Sequence, residues 1–138
     1  MGRMLAIDYG DVRVGLAVSD KTNIIATGLE TLVINKNNKI LIEKIEEIIR
    51  EYEIETIVIG YPKNMDGSLS KKTEDVDKII KKLDKFNIKV VKWDERLTTR
   101  LAYGTMKELG ISQKQKNTYA DKLAATTILQ DYLKYSGK

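Results

Sequence analysis

The 138-residue sequence contains no cysteine and no histidine. The first absence excludes disulfides, thiolate metal sites and cysteine nucleophiles. The second removes serine–histidine triads, histidine general bases and imidazole zinc sites together. Any catalysis must therefore run on carboxylates, lysine, hydroxyls or a metal held by oxygen ligands. Proline occurs once, at Pro62. No apolar run approaches the ~20 residues of a membrane span, and the N-terminus carries no signal-peptide pattern. A cytoplasmic location without membrane contact is the expectation. Repeats, low-complexity tracts and linkers are also missing, which fits one domain over residues 1–138 with room for a proper core.

What is present begins with charge. The net charge is +4 and unevenly placed: residues 1–95 carry 16 Lys+Arg against 17 Asp+Glu, whereas residues 96–138 carry 8 against 3. A clustered basic region is an electrostatic footprint for a polyanion, although a small patch alone also serves as a solvated surface.

The apolar pattern gives an α/β chain. Met4-Leu5-Ala6-Ile7 reads as a central strand covered on both faces, and Asp8-Tyr9-Gly10-Asp11 as the turn of a hairpin into a second strand over Val14 to Val18. A third strand is expected between Ile24 and Ile34. Leu41, Ile45, Ile48 and Tyr52 recur at helical spacing. Thr56 to Ile59 is another buried strand, stopped by Gly60-Tyr61-Pro62. Val76, Ile79, Ile80 and Leu83 mark a second helix with Ser70 as N-cap. Lys89 to Trp93 forms the last strand, and helical patterns cover roughly 97–109 and 118–135. The implied topology is an antiparallel meander followed by two right-handed strand–helix crossovers. It places Asp8, Gly60 and Glu95 at the carboxyl edge of parallel strands, where open α/β sheets bind ligands.

Three acids stand out against these apolar segments. Asp8 ends the first run, Glu95 follows the last strand, and Asp121 lies near the start of the final helix. Each has an ordinary reading: a turn aspartate, an ion pair with Arg96, and macrodipole stabilisation behind an Asn117 N-cap. Brought to one point, however, carboxylates repel unless a cation sits between them. An oxygen-only cage of this kind suits Mg²⁺ or Mn²⁺, and ions ~4 Å apart can activate water and stabilise the leaving oxygen of a phosphodiester. If the last strand persists, Asp94 and Glu95 point to opposite faces, so only one enters the site readily; Glu95 is preferred. Lys63 and Asn64 are candidates for phosphate or sugar contacts. So are Arg96, Thr98, Thr99 and Arg100 at the start of a helix, and Lys114 and Lys116 in a polar loop.

Four segments in order, Asp8-Tyr9-Gly10, Gly60 to Gly67, Asp94-Glu95-Arg96-Leu97-Thr98-Thr99 and Asp121 to Ala125, give the chain a near end-to-end resemblance to the YqgF family, also called RuvX. The resemblance implies a ribonuclease H-like fold, a five-stranded mixed sheet flanked by helices, with Asp8, Glu95 and Asp121 matching the family's proposed metal-binding acids. It also implies 5′-end maturation of the small-subunit (16S) ribosomal RNA precursor, with a Holliday-junction resolvase acting on branched DNA as the alternative. Tyr61 stands where leucine is commoner in the family, and Val12 where a polar or basic residue is common.

Two other classes compete. A non-catalytic RNA-binding factor in ribosome assembly would use the same basic last third. An actin-like or sugar-kinase-like phosphotransferase also has a hairpin like that of Asp8, Gly10 and Gly15, but needs two domains. A monomer or weak homodimer is expected.

Overall fold

The computed structural model describes residues 2–61, 71–94 and 113–136, the last span with side chains from Ala124 to Tyr135. The elements in order are β1 (Arg3–Asp8), β2 (Arg13–Ser19), β3 (Ala26–Gly28), β4 (Leu32–Val33), α1 (Asn38–Tyr52), β5 (Ile54–Tyr61), α2 (Lys71–Leu83), a 3₁₀ turn (Asp84–Phe86), β6 (Lys89–Asp94) and α3 (Gln113–Ser136).

The sheet runs β3-β2-β1-β5-β6, with β4 as a further short strand on β2. The β1–β2, β2–β3 and β2–β4 pairs are antiparallel, and β1–β5 and β5–β6 are parallel. The expected meander and two crossovers are therefore present. The single strand anticipated between Ile24 and Ile34 is instead two short pieces on β2. Leu29 still donates its N–H to the Leu16 carbonyl at 2.8 Å beyond the end of β3, so the segment hugs β2 without keeping strand register.

Helices cover both faces, which explains why Leu5, Ala6 and Ile7 are consecutive and fully buried. Side-chain alternation then sorts the core into two. Leu5, Ile7, Tyr9, Ile57 and Ile59 pack with the α1 stripe of Leu41, Ile45 and Ile48 and with Val76 and Ile79 of α2. Ala6, Ala17 and Val58 pack on the other side with Ala125, Ile128, Leu129 and Tyr132 of α3. The small residues on that second side let the helix approach the sheet closely. Trp93 of β6 meets Tyr132 edge-on, with ring centroids 5.8 Å apart, and anchors the later part of α3.

Local chemistry sets the helix ends. The Asn37 side chain caps α1 by accepting from Lys39 N–H at 3.1 Å, and Glu53 closes that helix in the left-handed region (φ 53°). The last helix begins earlier than its apolar pattern suggests. Asn117 lies inside α3 and is not its cap, and Lys114 and Lys116 are helical positions, not loop ones. Gln113 to Lys116 contains good helix formers and no glycine or proline, so polarity there does not end the helix. The Ser70 cap and the helix expected over 97–109 lie outside the described residues. Among the described residues no helix is long and apolar enough to cross a membrane.

Candidate active site

Asp8, Tyr61 and Asp94 are the carboxyl-terminal residues of β1, β5 and β6, which are neighbours in the sheet. Ile7 pairs with Ile59, and Tyr61 with Asp94, so the three strand ends form one continuous edge. Because α1 and α2 each lead from this edge back to the start of the next strand, their N-termini also lie here.

Asp8 shares strand parity with Met4 and Ala6, which pack on the α3 side. It is half-buried, and its partner across the hairpin is Gly15, which offers no side chain to cover it. A carboxylate in that position is partly desolvated and needs compensating partners. The turn that follows is tight. A Cβ added to Gly10 would come within 2.4 Å of the Arg13 carbonyl oxygen, so glycine is required for the chain to reverse there.

Asp94 takes the opposite face. Val90 packs with the α1/α2 core, whereas Val91 and Trp93 pack with the α3 core, so Asp94 falls on the Val90–Lys92 side. Lys92 Nζ there lies 3.6 Å from Asp77 Oδ1 of α2 and 4.6 Å from the centroid of the Tyr61 ring. The Tyr61 hydroxyl donates to Asp77 Oδ2 at 3.0 Å. Desolvation, then the Asp77 carboxylate, holds the Tyr61 phenol above its ordinary pKa of 10.0. Tyr61 thus has a local role: it clamps the end of β5 to α2 and β6.

Asp121 is a residue of α3, one turn before Ala125 and on the same helical register as Ala125, Ile128 and Tyr132. Glu95, Lys63, Asn64, Arg96, Thr98, Thr99 and Arg100 lie outside the described residues. The same holds for the side chains of Asp121, Lys114 and Lys116.

One feature of the edge was not legible in the sequence. On the α1/α2 side of the hairpin turn is an open cleft of about 500 Å³ whose floor is Tyr9, Gly10 and Asp11. Lys36, Asn38, Lys71, Lys72 and Asp75 form its walls. Tyr9 is 4% exposed and donates its hydroxyl to Asn38 Oδ1 at 2.9 Å. Burial, and secondarily the Asp75 carboxylate, raises the Tyr9 pKa. Lys36 and its neighbour Asn35 both have positive φ (67° and 46°), an unusual conformation for side-chain-bearing residues. The signal was the pair of helix starts at one sheet edge, which periodicity locates only to within a turn.

Comparison with known proteins adds to this geometry. Residues 2–135 match the family described as RuvX: Holliday junction resolvase. A protein of Acetivibrio thermocellus assigned as a pre-16S rRNA nuclease is 42% identical over 138 residues, spanning 99% of this chain and 98% of the relative. One from Ruminiclostridium cellulolyticum with the same assignment is 47% identical over 134 residues, spanning 95% and 93%. Among solved structures, Thermus thermophilus RuvC in complex with a Holliday junction substrate superposes with a TM-score of 0.60 at 13% identity, over 99% of this chain and 97% of the other. The fowlpox virus resolvase bound to Holliday junction DNA gives 0.60 at 15% identity, over 99% of each. At such identities the structural likeness is one of fold.

Proposed function

The chain belongs to the RuvX family, and from that membership we propose a metal-dependent endonuclease that hydrolyses phosphodiester bonds in the 16S ribosomal RNA precursor, maturing its 5′ end in the cytoplasm. The RNA substrate is favoured over a DNA junction because the relatives assigned to pre-16S rRNA are 42% and 47% identical over nearly the whole chain. The resolvases share the fold at 13% and 15% identity.

The observation that carries the site is Asp8: a half-buried carboxylate at the carboxyl end of the central strand, on the face covered by α3. Asp121, on the α3 register of Ala125, and Glu95, next after Asp94, are the acids proposed to join it. Asp94 lies on the α1/α2 face, which supports Glu95, the next residue in the chain, as the acid that joins Asp8.

The donor set fits a hard divalent cation. It offers carboxylate oxygens alone, in a chain without histidine or cysteine. Asp8, Glu95 and Asp121 would hold Mg²⁺ or Mn²⁺, which when bound supplies Lewis-acid activation of water and charge neutralisation at the phosphate. The chain's own part is positional. Gly10 fixes the turn that presents Asp8, the close-packed α3 excludes water from one side, and Lys63, Asn64, Arg96, Thr98, Thr99, Arg100, Lys114 and Lys116 hold the sugar–phosphate backbone.

Cleavage of ribosomal RNA precursor and of a four-way DNA junction should be compared with Mg²⁺ and Mn²⁺, using wild-type and Asp8→Asn protein. The expected result is metal-dependent cutting of the RNA that Asp8→Asn abolishes while RNA binding and fold persist. Wild-type cutting rates in Asp8→Asn would refute the site, and preference for the junction would refute the substrate.

A further inference from the structure

We infer that the groove between α1 and α2 is a second docking site for polynucleotide backbone, on the face of the sheet opposite α3. The inference rests on the nuclease reading above and extends it from the α3 face, to which Asp8 belongs, to the α1/α2 face.

The groove is an open cleft of about 430 Å³ lined by Lys39 of α1, Lys81 and Lys82 of α2, and Lys85 of the 3₁₀ turn, with Ile42 between them. All four lysines are exposed. Acidic side chains cluster elsewhere: Glu43, Glu46, Glu47 and Glu51 line a separate cleft on α1 together with Arg50. The near-neutral balance of residues 1–95 therefore conceals a separation of charge across one helix.

Lysines also flank the start of α2. Lys71 and Lys72 line the cleft beside the hairpin turn, together with Tyr9, the residue after Asp8, at the same sheet edge. At a rise of about 1.5 Å per residue, Lys71 and Lys82 are roughly 16 Å apart along α2. Cationic side chains thus stand at the catalytic edge and again beyond the middle of the helix, a distance that several consecutive phosphates span.

Ordinary helix electrostatics accounts for only part of this. Lys81 and Lys82 in the last turn of α2 complement the macrodipole. Lys39, Lys71 and Lys72 occupy first turns, where a cation is disfavoured, and α1 has no acid in its first turn to offset it. Three cations held against that preference fit a polyanion better than they fit helix stability.

The chemistry of the groove also selects the partner. Flexible ammonium groups read phosphate as point charge without base sequence, which suits a long polynucleotide backbone. Ile42 is 6% exposed, so the groove has no apolar anchor of the kind protein interfaces and membrane-lying helices use.

The test uses the full chain, with Lys81→Gln/Lys82→Gln/Lys85→Gln and the corresponding triple Glu variant. Two RNAs are compared: a short hairpin carrying the cleavage site, and a long precursor extending beyond it. For the long RNA the Gln variant is expected to raise Kd about tenfold and to reduce the slope of log affinity against log salt by about 2, with a larger effect for Glu. Saturating cleavage of the hairpin should keep its wild-type kcat, and Tm should stay within about 3 °C. Unchanged Kd and salt slope on the long RNA would overturn the groove, as would loss of binding to anionic phosphatidylglycerol vesicles with RNA binding intact. Absence of cleavage by wild-type protein would count against the nuclease reading alone, because the binding arm needs no turnover.

Discussion

The Tyr9 hydroxyl donates to Asn38 Oδ1 at 2.9 Å, tying the turn after β1 to the first residue of α1. The bond matters because it fixes the hairpin that directly follows Asp8. Burial, ahead of the Asp75 carboxylate, raises the Tyr9 pKa above 10.0, so the group remains a donor at neutral pH. The folded phenol holds its proton more tightly than the unfolded one. Its contribution is therefore complete below about pH 10 and is lost as pH rises through the folded value. Tyr9→Phe is expected to cost about 1 kcal/mol at pH 7 by removing a part-buried hydrogen bond. It should also reduce the alkaline loss of stability, leaving the share due to Tyr61, whose pKa is raised as well. Urea unfolding at neutral and alkaline pH reads both effects.

Gly10 is the tighter constraint in the same turn. A methyl group there meets the Arg13 carbonyl oxygen at 2.4 Å, and a backbone atom cannot swing aside as a side-chain tip can. Gly10→Ala should destabilise the chain by about 1–3 kcal/mol, the range seen when atoms are forced into a filled space. It should also lower kcat, since Asp8 is carried by the strand that must shift. Gly2→Ala is a useful contrast. Its Cβ would approach the Glu55 side chain at 2.5 Å and the Glu53 carbonyl oxygen at 2.9 Å, at the opposite edge of the sheet. That change should cost stability and spare kcat, which chemical denaturation and a cleavage assay separate.

The central strands were legible because burial on both faces produces runs such as Leu5-Ala6-Ile7 and Ile57-Val58-Ile59 that admit few other readings. The α1 and α2 stripes were equally plain, since Leu41, Ile45 and Ile48, and Val76, Ile79 and Leu83, all reach the core. Asp8 was legible for the same reason, as a charge ending an apolar run. Less was visible where tertiary contacts decide the outcome. The split into β3 and β4 depends on how the segment lies against β2, and the start of α3 depends on polar helix formers that carry no periodic signal. The lysine clefts were hidden for a third reason. Lys36, Lys39, Lys71, Lys72, Lys81 and Lys82 are spread over nearly 50 positions and interleaved with acids, so a running charge count cancels what folding separates.

Strand alternation makes Asp94 and Glu95 experimentally separable. Asp94 ends β6 on the face of Val90 and Lys92, away from α3. Glu95→Gln is expected to lower kcat by more than the roughly 100-fold typical of losing a group behind the metal ligands. Asp94→Asn should leave kcat within about threefold of wild type and change Tm by only a few degrees. Single-turnover cleavage at saturating metal tests the pair. The reverse pattern would move the acidic partner of Asp8 from Glu95 to Asp94.

The packing of α3 offers a way to test Asp121 without altering it. Ala125 is fully buried with Ala6, Ala17 and Val58, and the small side chains set how near the helix lies to the sheet. Ala125→Leu would push the two apart one turn from Asp121, at an expected cost of about 1–3 kcal/mol. Leu133→Ala, two turns further along on the same side, opens a cavity instead and should cost about 2–5 kcal/mol. Stability alone would rank Leu133→Ala as the more damaging change. A requirement for Asp121 at the sheet edge ranks kcat the other way. Measured well below the Tm of both variants, Ala125→Leu should lose most of its turnover, with its apparent metal affinity weakened, while Leu133→Ala keeps near-wild-type values. Equal kcat losses that track stability would mean that α3 contributes to the core and not to the metal site.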